Sequence, residues 1–483
     1  MSNADCRPAV RAVAVGAPGQ TGAPRVARPR SVASPAQVLA IVCVGICLAN
    51  LDLFIVNVGL PAIGRDFAGS TLADTSWILN GYAIAYAALL VFFGRLAERY
   101  RRNASFLLGV ALFTLASAAC AAADSVAVLV VFRLAQAAGA ALMTPTSIGL
   151  LLAVYPPERR GGAVRTWAAI GGLAAALGPV VGGLLLVASW RWIFLVNVPI
   201  GLVALVVGWH WLPDVPGHDT PTPNPWDAGL VTAGIAALTF AIVKENDWGW
   251  SSPGVSISAA MSVLLLATFV LRCLRSRNPF IDPSLFRNRQ FTGAVLVMAP
   301  YSAGFGAMLL SIALWEQTVW GWSALQTGLA IAPGPLLVPL TSLLAAGRLI
   351  ARFGAAFVVS AGVVVFAGGL IWWAIMIDLQ PSLTVVVLGM IPTGVGVGLT
   401  FPTLMGAGTA ALPPSSFATG SGVINMVRQA ALAIGVAIFV AIVGSPSSPL
   451  ERAAHFREGW WLMAGIVALA LIPTFALIGR RAK

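Results

Sequence analysis

Apolar residues along this chain fall into long runs broken by short polar or charged stretches. Runs of about 20 residues, the length a helix needs to cross a bilayer, cover 37–58, 75–94, 104–123, 126–154, 163–187, 192–212, 227–243, 254–272, 291–314, 325–347, 355–377, 383–411, 419–443 and 459–479. Two of these are split by Gly and Pro, so counts of twelve or thirteen remain open beside fourteen. The pattern predicts an all-α, polytopic membrane protein, because a spanning helix satisfies its own backbone hydrogen bonds in lipid.

Composition supports lipid as the solvent. Of 483 residues, 58% are hydrophobic and 10% charged, against roughly 25% charged in a soluble domain. The net charge of +12 reads as basic loops held on one side of a membrane, not as a nucleic-acid surface. With residue 1 placed inside, 22 of the 29 Lys and Arg fall in inside segments and five outside, while Arg133 and Arg428 lie within spans. Basic residues resist translocation, so both termini are expected in the cytoplasm. Only Lys244 and Lys483 are lysines. With the abundance of Ala, Gly and Arg, this suggests a GC-rich bacterial genome and hence a bacterial plasma membrane.

Residues 1–36 read as a disordered basic tail with no cleaved signal, and 480–483 as a second cytoplasmic tail. Cys43 and Cys47 share a helix face without His or acidic neighbours, and are expected to pack and not to bind metal.

The two ends of the chain resemble each other. Gly94-Arg95-Leu96 with Arg99 returns as Gly347-Arg348-Leu349 with Arg352, an offset of 253. Pro145, Thr146, Gly149 and the pair Pro156-Pro157 return as Pro402, Thr403, Gly406 and Pro413-Pro414, an offset of 257. Two six-helix pseudo-repeat bundles, 37–212 and 291–479, are therefore expected, with two additional helices and a cytoplasmic linker at 213–290. Parallel repeats of this kind build transporters with the site between them.

Five stretches in order make the pattern specific: LDLFIVNVGLP (51–61), GRLAERYRRN (94–103), Arg133 with Gln136 and Gly139, Gly171 with GPVVGG (178–183), and WRWIFLVNVPIG (190–201). PSLFRNRQF (283–291) and SALQTGLAIAPG (323–334) agree. Together they resemble the major facilitator superfamily, in its fourteen-span drug:proton antiporter branch, over nearly the whole chain beyond residue 36. The sequence departs from that pattern at Glu98, where Asp is usual, and at Tyr100, where Gly is usual.

Asp52 is the one acid clearly within a predicted span; Glu316 lies near an outer edge. An ionised carboxylate in mid-membrane costs on the order of 3 kcal/mol, and taking up a proton removes that charge. Asp52 is thus a natural proton carrier, and the resemblance implicates an acid at this position in coupling. Arg133 cannot shed its charge and needs a partner or water; Asp52 is one possibility, and the resemblance implies a role in proton coupling for Arg133 beside a purely structural one. Arg428, near the cytoplasmic end of its span, is expected to snorkel.

Gly171, Gly178 and Gly182 share a helix face that admits a close neighbour, and Pro179 breaks the local hydrogen-bond ladder. The resemblance implies that this motif, Gly171, Gly178, Pro179, Gly182 and Gly183, marks antiporters and lies where the bundles rock. It further implies that Gly94, Arg95, Glu98 and Arg99 form a cytoplasmic gating loop. Asn57, Tyr82, Tyr86, Gln136 and Asn425, polar residues within spans, are candidate substrate contacts.

Several classes are set aside. Neither lysine stands in a phosphate-binding loop, so ATP is not expected to drive the protein. His210, His218 and His455 are scattered, which argues against a metal or a membrane enzyme. The expectation is proton-coupled efflux of small amphipathic molecules, a drug or antibiotic resistance exporter. It would act as a monomer without cofactor, its partners being substrate, protons and lipid. The alternative is a dedicated exporter of an endogenous metabolite or lipid.

Overall fold

The computed structural model describes residues 33–478, apart from 68, 218–221, 250, 277, 413–416, 445 and 447. The basic tail up to residue 32, the tail at 480–483, Pro413-Pro414 and His218 lie outside the described residues. A first group of helices comprises α1 (Pro35–Asp66), α2 (Leu72–Arg99), α3 (Arg102–Ala121), α4 (Val126–Val154), α5 (Pro157–Leu186), α6 (Trp192–Leu195) and α7 (Asn197–Trp211). A pair follows, α8 (Pro225–Trp248) and α9 (Pro253–Arg275). The second group comprises α10 (Arg289–Thr318), α11 (Ala324–Ile331), α12 (Pro333–Thr341), α13 (Gly347–Phe353), α14 (Ala355–Met376), α15 (Leu383–Ala410), α16 (Phe417–Val443), α17 (Pro449–Ala468) and α18 (Leu471–Pro473). Among the described residues there is no strand, and thirteen helical stretches are long and apolar enough to cross a membrane. α5 carries a shorter apolar segment, 170–186.

Local chemistry sets the ends. Ser34 caps α1 in a reciprocal box with Gln37, Thr71 caps α2 with Asp74, and Ser323 caps α11 with Gln326; each box satisfies orphan backbone donors. Several helices outrun the apolar runs that predict them. α1 continues through Pro61 to Asp66. α10 reaches Thr318 and so takes Glu316 inside the helix. The predicted span 192–212 breaks after Leu195, and α7 restarts at Asn197. The predicted span 325–347 is α11 and α12, joined to α13 through a π turn at Ser342–Ala346.

One crossing is built twice. Gly139 of α4 lies so close to α3 that a Cβ there would sit 2.6 Å from the Phe113 backbone nitrogen and 2.8 Å from the Gly109 carbonyl. Gly396 of α15 lies likewise against α14, 2.6 Å from Phe366 and 2.7 Å from the Gly362 carbonyl. Gly139 and Gly396 differ by 257, and Gly109 and Phe113 differ from Gly362 and Phe366 by 253. The hydroxyls of Thr146 and Thr403, also 257 apart, donate to the carbonyls of Leu142 and Leu399 at 2.7 and 2.6 Å.

α1 begins at the near end of the bundle and finishes at the far end. Among the described residues, five ion pairs join segments that the charge count places on the same side. Asp66 with Arg191 (3.0 Å), Asp74 with Lys244 (3.1 Å) and Asp378 with Arg457 (3.9 Å) lie at the far end. Asp214 with Arg101 (2.9 Å) and Asp227 with Arg272 (2.5 Å) lie at the near end. The α8–α9 pair leans on α2 and α16, with Phe240 of α8 6.3 Å from Trp77 of α2 between ring centroids.

Candidate functional site

Asp52, halfway along α1, is 0% exposed, as are Arg133 and Gln136 of α4 and Asn197 of α7. Arg133 Nη1 donates to Asp52 Oδ2 and, at 2.6 Å, to Gln136 Oε1. Gln136 Nε2 and Asn197 Nδ2 donate to Asp52 Oδ1 at 2.8 and 3.1 Å. Gln136 Nε2 also reaches the Ser117 hydroxyl of α3 at 2.7 Å. Arg133 Nε donates to the Ile78 carbonyl of α2 at 3.2 Å, and its guanidinium lies 4.1 Å from the centre of the Tyr82 ring. Five elements thus converge on one ion pair. A buried pair persists only when further hydrogen bonds offset the lost hydration, and Gln136, Asn197 and Ile78 supply them.

The break between α6 and α7 puts Asn197 in the first turn of α7, where its side chain reaches Asp52. Sequence reasoning missed Asn197 and Ser117; the visible signal was an Asn in an apolar span two residues before Pro199. At the 257 register the second group carries Met390 and Thr393 where the first has Arg133 and Gln136. The charged network therefore belongs to one group only.

The glycine motif has two faces. Gly171, Gly178 and Gly182 face α1 inside the first group: a Cβ on Gly178 would sit 2.7 Å from Phe54 and 3.4 Å from the Leu51 carbonyl, and one on Gly182 3.3 Å from Ile55. Asn50 of α1 donates to the Gly171 carbonyl at 3.0 Å. Gly183 and Pro179 face the second group, with Gly183 against Ala324 and Leu325 and the Pro179 carbonyl against Gly328. α1 is held between this glycine face and the charged network. It also meets the second group directly, where Gln317 of α10 donates to the Val58 carbonyl at 2.9 Å and Phe54 lies 6.2 Å from Phe305.

The other predicted residues are placed as follows. Gln136 belongs to the Asp52 network. Tyr82 packs under Arg133 and stacks on Tyr86 at 6.0 Å; the Tyr86 hydroxyl bonds the Thr144 hydroxyl at 3.0 Å. Asn57 and Asn425 donate to carbonyls one turn back on their own helices, Leu53 and Ser421. At the near end Arg95 donates to Asn278 and to the Pro279 carbonyl, both at 2.6 Å, so this loop is tied to the linker after α9. A Cβ on Gly94 would sit 3.8 Å from Pro145, Arg99 is exposed, and the Glu98 side chain lies outside the described residues. Arg428 lies part-buried in α16, its guanidinium 5.8 Å from the centre of the Phe401 ring and its Nε without a partner. A cleft of about 730 Å³ at the far end is lined by Asp66, Asp74, Asp124, Trp77 and Val130. Val130 is one turn from Arg133.

Long apolar helices in two groups, with an ion pair sealed inside one and a seam between them, define a multi-pass membrane transporter. The chain belongs to the Major Facilitator Superfamily, whose family model matches residues 42–436. It is 31% identical to the tetracenomycin C resistance and export protein of Streptomyces glaucescens, over 85% of this chain and 75% of that protein. It is 29% identical to a cephamycin export protein of Amycolatopsis lactamdurans over 94% and 96%. It is 32% identical to the multidrug resistance protein Stp of Mycobacterium tuberculosis over 83% and 74%. Among solved structures, a bacterial homolog of the human lysosomal transporter Spinster, inward-facing and unoccupied, matches with a TM-score of 0.67 at 16% identity over 95% and 99% of the two chains.

Proposed function

We propose that the protein is a proton-coupled exporter of small amphipathic molecules, a drug or antibiotic resistance antiporter of the bacterial plasma membrane with both termini cytoplasmic. The observation that carries this reading is the sealed Asp52–Arg133 pair on a helix that also touches the second group. Protonating Asp52 removes one charge of the pair and frees α1 from α4. α1 then shifts against the glycine face of α5, whose other face carries the seam with α11. The far end is the outer side, the Asp66–Asp74–Asp124 cleft is the outer entrance for protons, and the Arg95 contacts with Asn278 and Pro279 act as the cytoplasmic latch.

In this reading α5 is a fourteenth span, the two groups are six-helix pseudo-repeats, and α8 with α9 forms the intervening pair. The protein works as a monomer. Tyr82, Tyr86, Asn57 and Asn425 remain proposed substrate contacts once α1 moves; Gln136 serves the proton network. Relatives named for antibiotic export and multidrug resistance support the substrate class.

The test is a toxicity panel in an efflux-deficient host, with and without an uncoupler. Protection that the uncoupler abolishes is expected. Protection that ignores it contradicts the coupling. Protection against no compound favours a dedicated exporter of an endogenous metabolite or lipid.

A further inference from the structure

A second carboxyl is sealed within the spans. Glu316 lies in the last turn of α10, is 0% exposed, and neither of its oxygens has a hydrogen-bond partner. The Thr327 hydroxyl of α11 faces it and is itself unpaired. The Trp322 N–H is taken by the Glu316 backbone carbonyl at 2.9 Å. On one side Trp315 packs against Trp320, Phe456 and Trp460, at 6.2, 5.2 and 5.6 Å between centroids. On the other, Gln317 makes the bond to Val58 that closes the far-end seam.

The charged groups on the elements packed against α10 are few. α1 carries Asp52 and Asp66, held by Arg133 and Arg191, and Arg65. α16 carries Arg428. α17 carries Glu451, Arg452, Glu458, His455 against the Val443 carbonyl (3.0 Å) and Arg457 against the Ile377 carbonyl (3.0 Å). The turn Pro283–Arg287 carries Arg287 at the near end, while α11, α15, α18 and the turn Thr474–Ile478 carry none. None hydrogen-bonds Glu316.

Among the described residues only the Thr327 hydroxyl faces this carboxyl and no cation does, and it sits at the negative end of a helix dipole, which penalises a negative charge. Binding a proton removes that charge and its cost. We propose that Glu316 is a second proton-binding site, which must hold a proton for the far-end seam to close. The inference rests on the proton-coupled reading above and divides its labour. With the far end closed, Asp52 is paired with Arg133 and Glu316 carries the proton. When the seam parts between Gln317 and Val58, water reaches Glu316 and the proton exchanges with the far side.

The test is infrared spectroscopy of the purified full-length protein, following the C=O stretch of protonated carboxyls as pH is raised. It is combined with thiol labelling of Val58→Cys in a background without native cysteines. The wild type should show the band, and labelling should quicken as pH rises. Glu316→Gln and Glu316→Leu should both lose the band and make labelling independent of pH, whereas Asp52→Asn should keep the band. A wild type without the band, or a folded Glu316 variant that keeps the whole band and the pH-dependent labelling, overturns the proposal. Uncoupler-insensitive export would sink the antiport reading without touching the band, so the two failures are distinguishable.

Discussion

Asp52 of α1 and Arg133 of α4 form an ion pair that no solvent reaches, and each is hydrogen-bonded to Gln136, which holds them in register. A buried pair contributes little net stability, but removing one partner strands the other at a cost of roughly 3–5 kcal/mol. Arg133→Leu should therefore unfold at markedly lower temperature in detergent, and Asp52→Asn should lose less, since Asn still accepts from Arg133. The double variant Asp52→Asn/Arg133→Leu should recover much of the stability lost by Arg133→Leu and none of the transport. Thermal melts of the three variants check this, and a double variant no more stable than Arg133→Leu contradicts it.

The two faces of the glycine motif should separate by mutation. Gly178→Ala pushes a methyl into Phe54 within the first group, an overpacking that costs about 1–3 kcal/mol and should lower the melting temperature. Gly183→Ala pushes instead on the backbone of Ala324 and Leu325 across the seam. It should leave the melt nearly unchanged and speed thiol labelling of Val58→Cys. Equal labelling rates in the two variants would count against two faces.

The α8–α9 pair offers a contrast of burial. Asp227 is 3% exposed and paired to Arg272, whereas Asp74 and Lys244 both keep contact with solvent. An exposed pair is worth about 0–1 kcal/mol, so Lys244→Met should melt close to the wild type. Arg272→Met leaves the buried Asp227 carboxylate without its partner and should melt lower. Indistinguishable melts would remove the role given to Asp227.

Much of this was legible in the sequence because lipid imposes one rule on every span. The runs located the helices, and among the described residues the five ion pairs other than Asp52–Arg133 each join segments that the count of basic residues puts on the same side. The 253 and 257 offsets pointed to the crossing that Gly109, Phe113 and Gly139 share with Gly362, Phe366 and Gly396. Hydropathy does not report partners, however. It left open whether Asp52 meets Arg133, hid Asn197 in an apolar stretch, and placed Glu316 at an edge because α10 continues one turn past its apolar run. The direction in which a helical side chain points is set by tertiary contact. For that reason the sequence does not show that the glycine stripe faces α1 with Gly171, Gly178 and Gly182 and the second group with Pro179 and Gly183.

The central claim is that Asp52 couples protons to export, and proton flux into proteoliposomes measures it most directly. With a compound chosen from the toxicity panel and a pH-sensitive dye inside, wild-type protein should show substrate-evoked proton movement and proton-driven accumulation. Asp52→Asn, inserted in equal amount, should show neither. Full proton-driven transport by Asp52→Asn would contradict the account.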